Sequence, residues 1–250
     1  MPRELRLLSF NIQAGASTRR YREYFTRSYA HVLPTRKTTT GNLDQIAGVA
    51  GGFDIVGLQE ADPGSLRSSF LNQTHYLAEK AGFDFWSHQP NRRVARIAGS
   101  ANGLLSRYQP EDVIDYALPS RIPGRGALWV RYGEELDGLV VVVAHLSLGL
   151  TARIGQITFL TELLADCRRV VLMGDFNCEP RAPEMEPLYH RTRLRPPEHS
   201  IATFPSWEPR WAIDGILASR SVRVAERWRV NEPLSDHLAV AARIELDGAR

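Results

Sequence analysis

The sequence predicts an α/β protein, a mixed and layered sandwich. Eight short apolar runs indicate buried strands and dominate the pattern, and segments with helical periodicity lie between some of them. Their alternation is too irregular for a barrel of repeating βαβ units. The runs Ala127–Arg131 and Leu139–Ala144 are joined by the turn-rich stretch Tyr132–Gly138, which predicts a hairpin and therefore some antiparallel pairing.

The elements follow from two periodicities. In chain order the predicted strands are Leu5–Phe10, Ile55–Leu58, Gly103–Ser106, Ala127–Arg131, Leu139–Ala144, Val170–Met173, Ala212–Ala218 and Ala239–Ile244. The predicted helices carry apolar residues three and four positions apart and cover Asn42–Gly51, Ser65–Ala81 and Thr151–Ala165. Two proline-rich stretches, Pro180–Pro187 and Pro196–Pro209, predict long surface loops.

The length and composition are those of one soluble domain. A chain of 250 residues buries a sizeable core without disulfides or oligomerisation, so we expect a single domain over residues 1–250 and a monomer. The chain lacks an apolar run that could cross a bilayer, and its first residues lack the apolar core of a secretory signal. We therefore expect a cytoplasmic protein with no transmembrane segment. The spacing of Cys167 and Cys178 fits neither a disulfide framework nor a zinc site, and both are expected to be reduced.

One stretch of the chain is basic although the formal net charge is only +3. Residues 17–40 contain six arginines and lysines and four aromatic residues but a single acid, Glu23. A solvated loop or helix face explains such a stretch, and so does a surface for an anionic substrate. Further arginines lie within residues 89–99 and Arg121–Gly126, and all three stretches would suit a substrate rich in phosphate.

Polar side chains follow several of the predicted strands, at the point where each strand ends. Asn11 follows the first strand, Glu60 follows the second, and Asp175 and Asn177 follow the run that ends at Met173 and Gly174. A carboxylate directly after a buried strand must be solvated, hydrogen-bonded or bound to a metal. Oxygen ligands of this kind suit a hard cation, and the sequence therefore predicts Mg²⁺ or Mn²⁺.

Two histidines complete a set of chemically competent side chains. His145 ends the apolar run Leu139–Ala144, and His237 stands in Ser235-Asp236-His237 before the last predicted strand. Hydrolysis of a phosphoester needs a positioned water, a group that takes its proton, and positive charge or hydrogen-bond donors around the phosphate oxygens. The acids, histidines and a metal can supply all three.

Seven short runs, taken in chain order, resemble the motifs of the endonuclease/exonuclease/phosphatase family of DNase I-like, metal-dependent phosphohydrolases. They are Ser9-Phe10-Asn11-Ile12-Gln13, Gly57-Leu58-Gln59-Glu60, Asn102-Gly103-Leu104-Leu105-Ser106-Arg107, Ala144-His145-Leu146, Gly174-Asp175-Phe176-Asn177, Ile213-Asp214 and Ser235-Asp236-His237. Each run alone is a weak match, but the ordered series is specific and covers nearly the whole chain. The resemblance implies a four-layered α/β sandwich, two packed mixed β-sheets flanked by helices, with the active site where the strand ends meet.

The resemblance also implies a metal side of the site. Glu60 would be the principal metal ligand, and Asn11 would be a ligand or a neighbour that binds through water. Asp236 would complete this side of the site. The expected cofactor is Mg²⁺, with Mn²⁺ as the alternative.

The remaining motif residues would act on the water and the phosphate. Asp175 and Asn177 would orient the attacking water and the phosphate, and His237 would act on the nucleophile or stabilise the pentacovalent transition state. His145 would contact the phosphoryl oxygens or assist the leaving group. Asp214 would orient one of the two imidazoles. How the base and acid roles divide between aspartate and histidine stays open.

Candidate substrate contacts and supporting residues lie around these motifs. The candidate contacts are Asn102, Arg107, Arg125 and Thr203. Thr203 could donate to a phosphate, or it could be a simple loop hydroxyl. Arg153 and Gln156 lie three apart on one face of the predicted helix after His145, where they could brace the His145 loop or be solvated.

The substrate class is only partly indicated. The family's abasic-site endonucleases carry a tyrosine and an asparagine shortly after the strand where this chain has Ala144-His145-Leu146-Ser147-Leu148, which disfavours DNA repair. An imidazole there is shared by secreted-type deoxyribonucleases and by phosphodiesterases of sphingomyelin and other phospholipid headgroups. We therefore expect a phosphodiesterase of small-molecule or lipid-headgroup esters. The alternatives are a nuclease of DNA or RNA and a non-catalytic binding module on the same fold.

Overall fold

The computed structural model describes residues 3–15, 36–65, 68, 70–94, 98–121 and 124–246. Most of the basic stretch 17–40 lies outside the described residues, and so does Arg96. The suggestion that these basic stretches suit a substrate rich in phosphate remains a prediction.

Strands and helices alternate along the chain. The strands, numbered β1 to β12, are Arg3–Asn11, Ile55–Ala61, Phe85–Val94, Ala98–Ser106, Pro110–Ala117, Gly126–Tyr132, Val140–His145, Val170–Asp175, Leu194–Arg195, Asp214–Ser219, Arg223–Arg229 and Val240–Leu246. The helices, α1 to α4, are Arg36–Ala50, Gln73–Ala81, Leu150–Leu164 and Glu186–Arg191. Short 3-10 turns cover Gln13–Gly15, Glu134–Leu136 and Pro183–Met185.

The strands form two six-stranded sheets, with the orders β11-β12-β1-β2-β4-β3 and β5-β6-β7-β8-β10-β9. Each sheet has one parallel pair near its middle, β1 with β2 and β7 with β8, and its other pairs are antiparallel. The predicted hairpin between β6 and β7 is confirmed by their antiparallel register. Because parallel strands end on the same side of a sheet, each sheet brings two strand ends to one edge.

The two sheets pack face to face around the main core. Alternate residues of the central strands, such as Leu7, Ile55, Val143 and Met173, fill the space between the sheets. The sheets approach closely at Gly57, since a Cβ atom there would lie 2.6 Å from the sulfur of Met173. The strands are therefore buried on both faces, which explains why they are continuous apolar runs in the sequence.

Helices cover the outer face of each sheet and complete four layers. Leu43 and Ile46 of α1 and Leu77 of α2 pack on the first sheet. Ile157 and Leu160 of α3 pack on the second sheet, together with residues of α4. The predicted two-sheet sandwich flanked by helices is thus the observed architecture.

One predicted helix is wrong over its first half. The segment Ser65–Ala81 was expected to be helical throughout, but α2 begins only at Gln73, where Asn72 caps it by accepting a hydrogen bond from the backbone N–H of His75. Upstream, the carboxylate of Asp62 accepts hydrogen bonds from the N–H groups of Gly64 and Ser65. These bonds satisfy the backbone in a turn and replace the helical pattern.

Four strands were not predicted, and all four lie at the edges of the sheets. They are β3, β5, β9 and β11. The residues of β5 and β11 are mostly exposed or half-buried, and both strands carry charged residues. Edge strands bury little surface and often carry charges, so they lack the apolar run that reveals a central strand.

The two predicted proline-rich loops have different outcomes. Pro180–Pro187 is not a simple loop, because it contains the 3-10 turn Pro183–Met185 and the start of α4. Pro196–Pro209 forms no helix or strand, but Thr203 within it is fully buried, so this segment is only partly at the surface. Cys167 and Cys178 are both free thiols. Within the described residues, no helix is long and apolar enough to span a membrane.

Candidate active site

The candidate site lies at the edge where the ends of the two central parallel pairs meet. Along β1, β7, β8 and β10, the residues that face the space between the sheets change there from apolar to polar. The polar positions are Asn11, His145, Asp175 and Asp214, all of them buried. Because Asp214 begins β10 and pairs with Asp175, the antiparallel strand brings its first residue to the same edge.

Asp175 is the centre of the cluster and connects the two sheets. One carboxylate oxygen, Oδ2, accepts a hydrogen bond of 3.0 Å from the side-chain amide of Asn11, and the other accepts one of 3.0 Å from the backbone N–H of Asn177. Burial and the nearby Asp214 raise the pKa of Asp175 to about 7, although His237, Asn11 and Asn177 act in the opposite direction. This carboxyl can therefore take up or release a proton near neutral pH.

The backbone before Asp175 needs a glycine. Gly174 has a φ of +153°, and a Cβ atom there would lie 1.8 Å from the carbonyl oxygen of Ala144. A side chain at this position would therefore collide with β7 just before the strand ends that carry His145 and Asp175. The parallel pairing of β7 and β8 sets His145 directly beside Asp175, its partner in the strand register.

His237 forms a buried array with an acid and a hydroxyl. Its Nδ1 donates to Oδ2 of Asp214 at 2.9 Å, and the hydroxyl of Thr203 donates to the same oxygen. Its Nε2 lies 4.0 Å from Oδ2 of Asp175. Burial would lower the pKa of His237, but Asp214, Asp175 and Asp236 outweigh it and raise the pKa to about 10. The imidazole is therefore a cation at neutral pH, with Nε2 directed at the site.

His145 is held in the opposite charge state. Its Nε2 lies 3.3 Å from Oδ2 of Asp175, and Nη1 of Arg125 lies 2.7 Å from both ring nitrogens. Burial, the charge of Arg125 and the charge of His237 lower the pKa of His145 well below its usual value. A neutral imidazole and a charged guanidinium therefore stand side by side at the site.

Glu60 differs from the other acids in being partly open to solvent. It sits in a β-bulge between Leu58 and Ala61 with a left-handed φ of +59°, and its side chain is 36% exposed. Its carboxylate lies 4.0 Å from Nε2 of His145 and accepts no hydrogen bond within the described part of the chain. A non-glycine residue in this conformation is strained, and such strain is often concentrated at functional sites.

Asp236 is a buried acid that faces the charge of Glu60. Burial raises its pKa, His237 lowers it, and the negative charge of Glu60 raises it again. Its Oδ1 accepts a hydrogen bond from the hydroxyl of Ser235. Among the ion pairs of the described residues, none joins Glu60 or Asp236 to a lysine or arginine. Two neighbouring acids that pair with no lysine or arginine of the described residues fit a divalent cation, and Asn11 adds an amide oxygen of the type that hard cations bind.

A second group of ligands lies deeper in the site. Asp175, Asp214 and His237 each offer one ligand atom, and these atoms lie within 4.8 Å of one another, so this group could also hold a metal ion. However, Oδ2 of Asp214 already accepts two hydrogen bonds, one of them from His237 Nδ1. A metal on those two atoms would have to break this array.

The loop after His145 is braced from the helix that follows it, which confirms the predicted role of Arg153 and Gln156. The side-chain amide of Gln156 bonds the backbone N–H and the hydroxyl of Ser147. Arg153 donates to the carbonyls of Ser147 and Leu148 and pairs with Glu184 at 2.8 Å. Asn177 adds a bond from its amide to the carbonyl of Leu146, so the loops after β7 and β8 are tied together.

Three of the four predicted substrate contacts are corrected by their positions. Arg107 lies at the far end of the first sheet and donates to the carbonyls of Phe53, Gly82 and Gly51. Asn102 is fully buried and its amide donates mainly to the carbonyl of Gly126. The hydroxyl of Thr203 is occupied by Asp214. Of the four, Arg125 and Thr203 are brought to the site, and Thr203 lies there as a hydrogen-bond partner of Asp214.

Some supporting residues were missed by the sequence reasoning. Asp62 bonds to Gln73, Gln73 bonds to the segment after β1, and Asn42 links that segment to the residues before Asp236. The run Asp62-Pro63-Gly64-Ser65 carries a turn signal that could have revealed Asp62. The two amides carry no local signal, because their partners are distant in sequence.

Comparison with known proteins agrees with this geometry. The model of the Endonuclease/Exonuclease/phosphatase family matches residues 8–237, a span that contains every residue of the cluster. None of the curated proteins matches the chain.

Solved structures share the fold at low sequence identity. An endonuclease/exonuclease/phosphatase from Beutenbergia cavernae is 20% identical with a TM-score of 0.75, over 99% of this chain and 72% of that one. A mannosyl-6-phosphatase from Bacteroides thetaiotaomicron is 18% identical with a TM-score of 0.66, over 96% and 99%. TDP2 of D. rerio, solved with a single-strand DNA product, is 14% identical with a TM-score of 0.68, over 96% and 98%.

Proposed function

The chain belongs to the endonuclease/exonuclease/phosphatase family, and on that premise we propose that it is a metal-dependent phosphoester hydrolase, specifically a phosphodiesterase of small-molecule or lipid-headgroup esters. One observation carries the proposal. The partly exposed Glu60 and the buried Asp236 face each other beside a buried array, in which the pKa of Asp175 is raised to about 7 and that of His237 to about 10. A cation site, a proton acceptor and a fixed positive charge thus lie at one edge of the sandwich.

The metal would be held by the acids on the Glu60 side of the site. We assign Glu60 and Asp236 as its carboxylate ligands and Asn11 as the amide ligand or water-bridged neighbour, and the oxygen donors favour Mg²⁺ or Mn²⁺. When bound, such an ion neutralises charge on the phosphate and acts as a Lewis acid. The amide nitrogen of Asn11 is already bonded to Asp175, so its oxygen is the atom that points away from the array.

Asp175 would act as the general base toward the attacking water. Its carboxylate accepts the proton of a water in line with the scissile bond, and a pKa of about 7 suits a base that works near neutral pH. Asn177 holds this carboxylate through its backbone N–H. The His237 cation supplies positive charge to the phosphate oxygens in the crowded transition state, and Asp214 keeps its ring oriented.

Arg125 and His145 would hold the phosphate from the other side. Since His145 is neutral, it donates a hydrogen bond to a phosphoryl oxygen and does not act as an acid toward the leaving group. Arg125 presents its guanidinium at the same place, and a guanidinium binds phosphate oxygens with two parallel hydrogen bonds.

The alternative substrate is a nucleic acid. The fold is shared with TDP2 of D. rerio, solved with a single-strand DNA product, and with a mannosyl-6-phosphatase of Bacteroides thetaiotaomicron. A nuclease would lose affinity steeply with salt as phosphate contacts release counterions, whereas a small ester would show little salt dependence. A non-catalytic binding module is the second alternative. A cytoplasmic monomer remains our expectation for the protein's location and assembly.

The test compares three substrates in parallel. Hydrolysis of bis-p-nitrophenyl phosphate, p-nitrophenyl phosphate and plasmid DNA would be measured with Mg²⁺, Mn²⁺ or chelator, for wild type, Glu60→Ala and His237→Ala. We expect metal-dependent turnover of the diester that both variants lose. Preference for DNA would favour the nuclease, and absence of turnover on every substrate would favour the binding module.

A further inference from the structure

The three residues assigned to the metal come from separate segments of the chain. Asn11 ends β1, Glu60 lies near the end of β2, and Asp236 precedes β12. The backbone leaves regular strand geometry just after Asn11, where Gln13 and Ala14 have φ values of +44° and +51°, and at Glu60 itself, with a φ of +59°. Strand pairing alone therefore does not determine how Glu60 and the turn after Asn11 are placed relative to each other.

A buried glutamine joins the first two segments. Gln73 is 1% exposed, and its side-chain nitrogen donates to the carbonyl of Ala14 at 2.8 Å. Its side-chain oxygen accepts from the backbone N–H of Asp62 at 2.8 Å. The backbone N–H of Gln73 also donates to the carbonyl of Asp62 at 2.9 Å. One amide thus ties the residue two positions after Glu60 to the turn that follows Asn11.

The anchor of this glutamine is itself rigid. The carboxylate of Asp62 is fully buried and accepts hydrogen bonds from the N–H groups of Gly64 and Ser65 and from the hydroxyls of Ser65 and Ser68. With these donors around it, Asp62 serves as a frame for the loop and is not a free ligand. The bulge that carries Glu60 is therefore held on both sides, by β2 and by this loop.

A buried asparagine joins the third segment to the same turn. The side-chain nitrogen of Asn42, on α1, donates to the carbonyl of Gly15 at 3.1 Å and to the carbonyl of Leu234 at 2.8 Å. Leu234 lies two residues before Asp236. The turn Gln13–Gly15 is thus the common point at which the segments of Glu60 and Asp236 are both attached.

We infer that Gln73 and Asn42 are positioning residues of the metal site. Their side-chain amides, on α2 and α1, fix the relative orientation of Asn11, Glu60 and Asp236. The inference rests on the proposed metal assignment. Partners of this kind, one step removed from the ligands, hold a site open in the correct geometry before the cation arrives. Their loss should weaken cation binding and leave the chemistry of Asp175 and His237 intact.

The test measures Mn²⁺ binding and turnover separately. Gln73→Met and Asn42→Leu remove the hydrogen bonds at nearly constant side-chain size. The matched control is Gln156→Met, which removes a buried amide of the same kind from the other half of the site. The dissociation constant of Mn²⁺ would be obtained by electron paramagnetic resonance, kcat on bis-p-nitrophenyl phosphate at saturating Mn²⁺, and Tm in chelator.

We expect each of the two metal-side variants to raise the Mn²⁺ dissociation constant about 10-fold, with kcat at saturating metal within about 2-fold of wild type. For the control variant Gln156→Met we expect unchanged Mn²⁺ affinity and a lower kcat. The result that overturns the inference is a lower Tm with unchanged Mn²⁺ affinity, while Glu60→Ala still loses the metal. If one variant fails to fold, the other decides. If Glu60→Ala binds Mn²⁺ as wild type does, the metal assignment fails, and the inference fails with it.

Discussion

The two halves of the site are built in opposite ways. On the first sheet, the side chain of Glu60 is 36% exposed, sits on a strained backbone and accepts no hydrogen bond within the described residues. On the second sheet, the side chain of Asp175 is 2% exposed, and its two oxygens accept hydrogen bonds from both sides. In the open half, the acid Glu60 is partly exposed and has no hydrogen-bond donor among the described residues. In the closed half, the acid Asp175 is buried and hydrogen-bonded.

This difference separates binding from chemistry. An unsatisfied acid next to solvent can exchange water for a cation at little cost, whereas a buried and bonded acid keeps its geometry and has a shifted pKa. Asp236 and His237 are adjacent in sequence but serve different halves, because Asp236 faces Glu60 while His237 bonds Asp214 on the other sheet. The last strand therefore links the two halves.

The largest expected effect comes from removing the open acid. Glu60→Ala should lower kcat/KM by about 10³-fold, because loss of the cation removes several kcal/mol of transition-state stabilisation. Chelator should reduce wild type to the same level. The rates would be measured on bis-p-nitrophenyl phosphate with and without EDTA. Full activity of the variant in Mg²⁺ would mean that the cation belongs to the deeper group of Asp175, Asp214 and His237.

The next effect tests the closed half. Asp214→Asn should lower kcat by about 10²-fold, because it removes the acid that orients and charges His237. The pKa of His237, about 10 with Asp214 present, should fall, so activity should decline with rising pH at a lower pH than in wild type. Because the folded pKa is raised, the stability from this pair is present below about pH 6.5 and lost as the pH rises through about 10.

The measurement for Asp214→Asn is the pH–rate profile at saturating metal, supported by NMR titration of the His237 ring in the metal-free protein. An unchanged profile with reduced kcat would show that Asp214 acts only by orientation. Mn²⁺ affinity is the control, and it should stay within about 2-fold, since the open half is untouched.

A smaller effect compares the two halves by stability. Asp175→Asn should raise the Tm of the metal-free protein by about 2 °C at pH 8, because wild type then holds a buried charge beside Asp214. With a folded pKa of about 7, the wild-type carboxyl is neutral at pH 5.5, so the gain should shrink there. Thermal unfolding in EDTA at both pH values would measure it. Glu60→Gln, at a half-exposed position, should change Tm by less than about 1 °C.

The smallest expected effect on activity concerns a residue outside both halves. Arg107→Met should leave kcat and KM within about 2-fold of wild type and should lower stability by about 1 kcal/mol, because Arg107 binds backbone carbonyls and lies over the ring of Phe83 at the far end of the first sheet. Steady-state kinetics and urea unfolding would measure the two quantities. A large rise in KM would restore Arg107 as a substrate contact.

The fold was predictable where the chain is apolar on both faces. Central strands such as β7, with the sequence Val140-Val141-Val142-Val143-Ala144, stand out because both faces are buried. The edge strands β5 and β11 have exposed and charged residues and were missed. The helix α2 was placed too early because Asp62 and Asn72 satisfy the preceding backbone by side-chain bonds, which a periodicity count does not detect.

The site was predictable where polar residues directly follow buried strands, as at Asn11, Glu60 and Asp175. Contacts that depend on distant segments were not. Thr203 was expected to face substrate as an alternative to a plain loop position, but it donates to Asp214 from the long loop that leads into β10. The side-chain amide of Asn42 donates a hydrogen bond to the carbonyl of Leu234, 192 residues away, and no local sequence pattern predicts such a contact.

The sequence by itself predicted which residues gather at the candidate site, because a carboxylate, amide or imidazole at the end of a buried strand is costly unless it is bonded or holds a metal. Only the tertiary structure decided which of these residues lie in the open half of the site, around Glu60, and which lie in the closed half, around Asp175. The pairing of Asp214 with Asp175 and the bulge at Glu60 depend on strand register. The charge states of His145 and His237 depend on burial and on neighbours contributed by separate strands. Register and burial are properties of the packed chain, so they appear only when the two sheets meet.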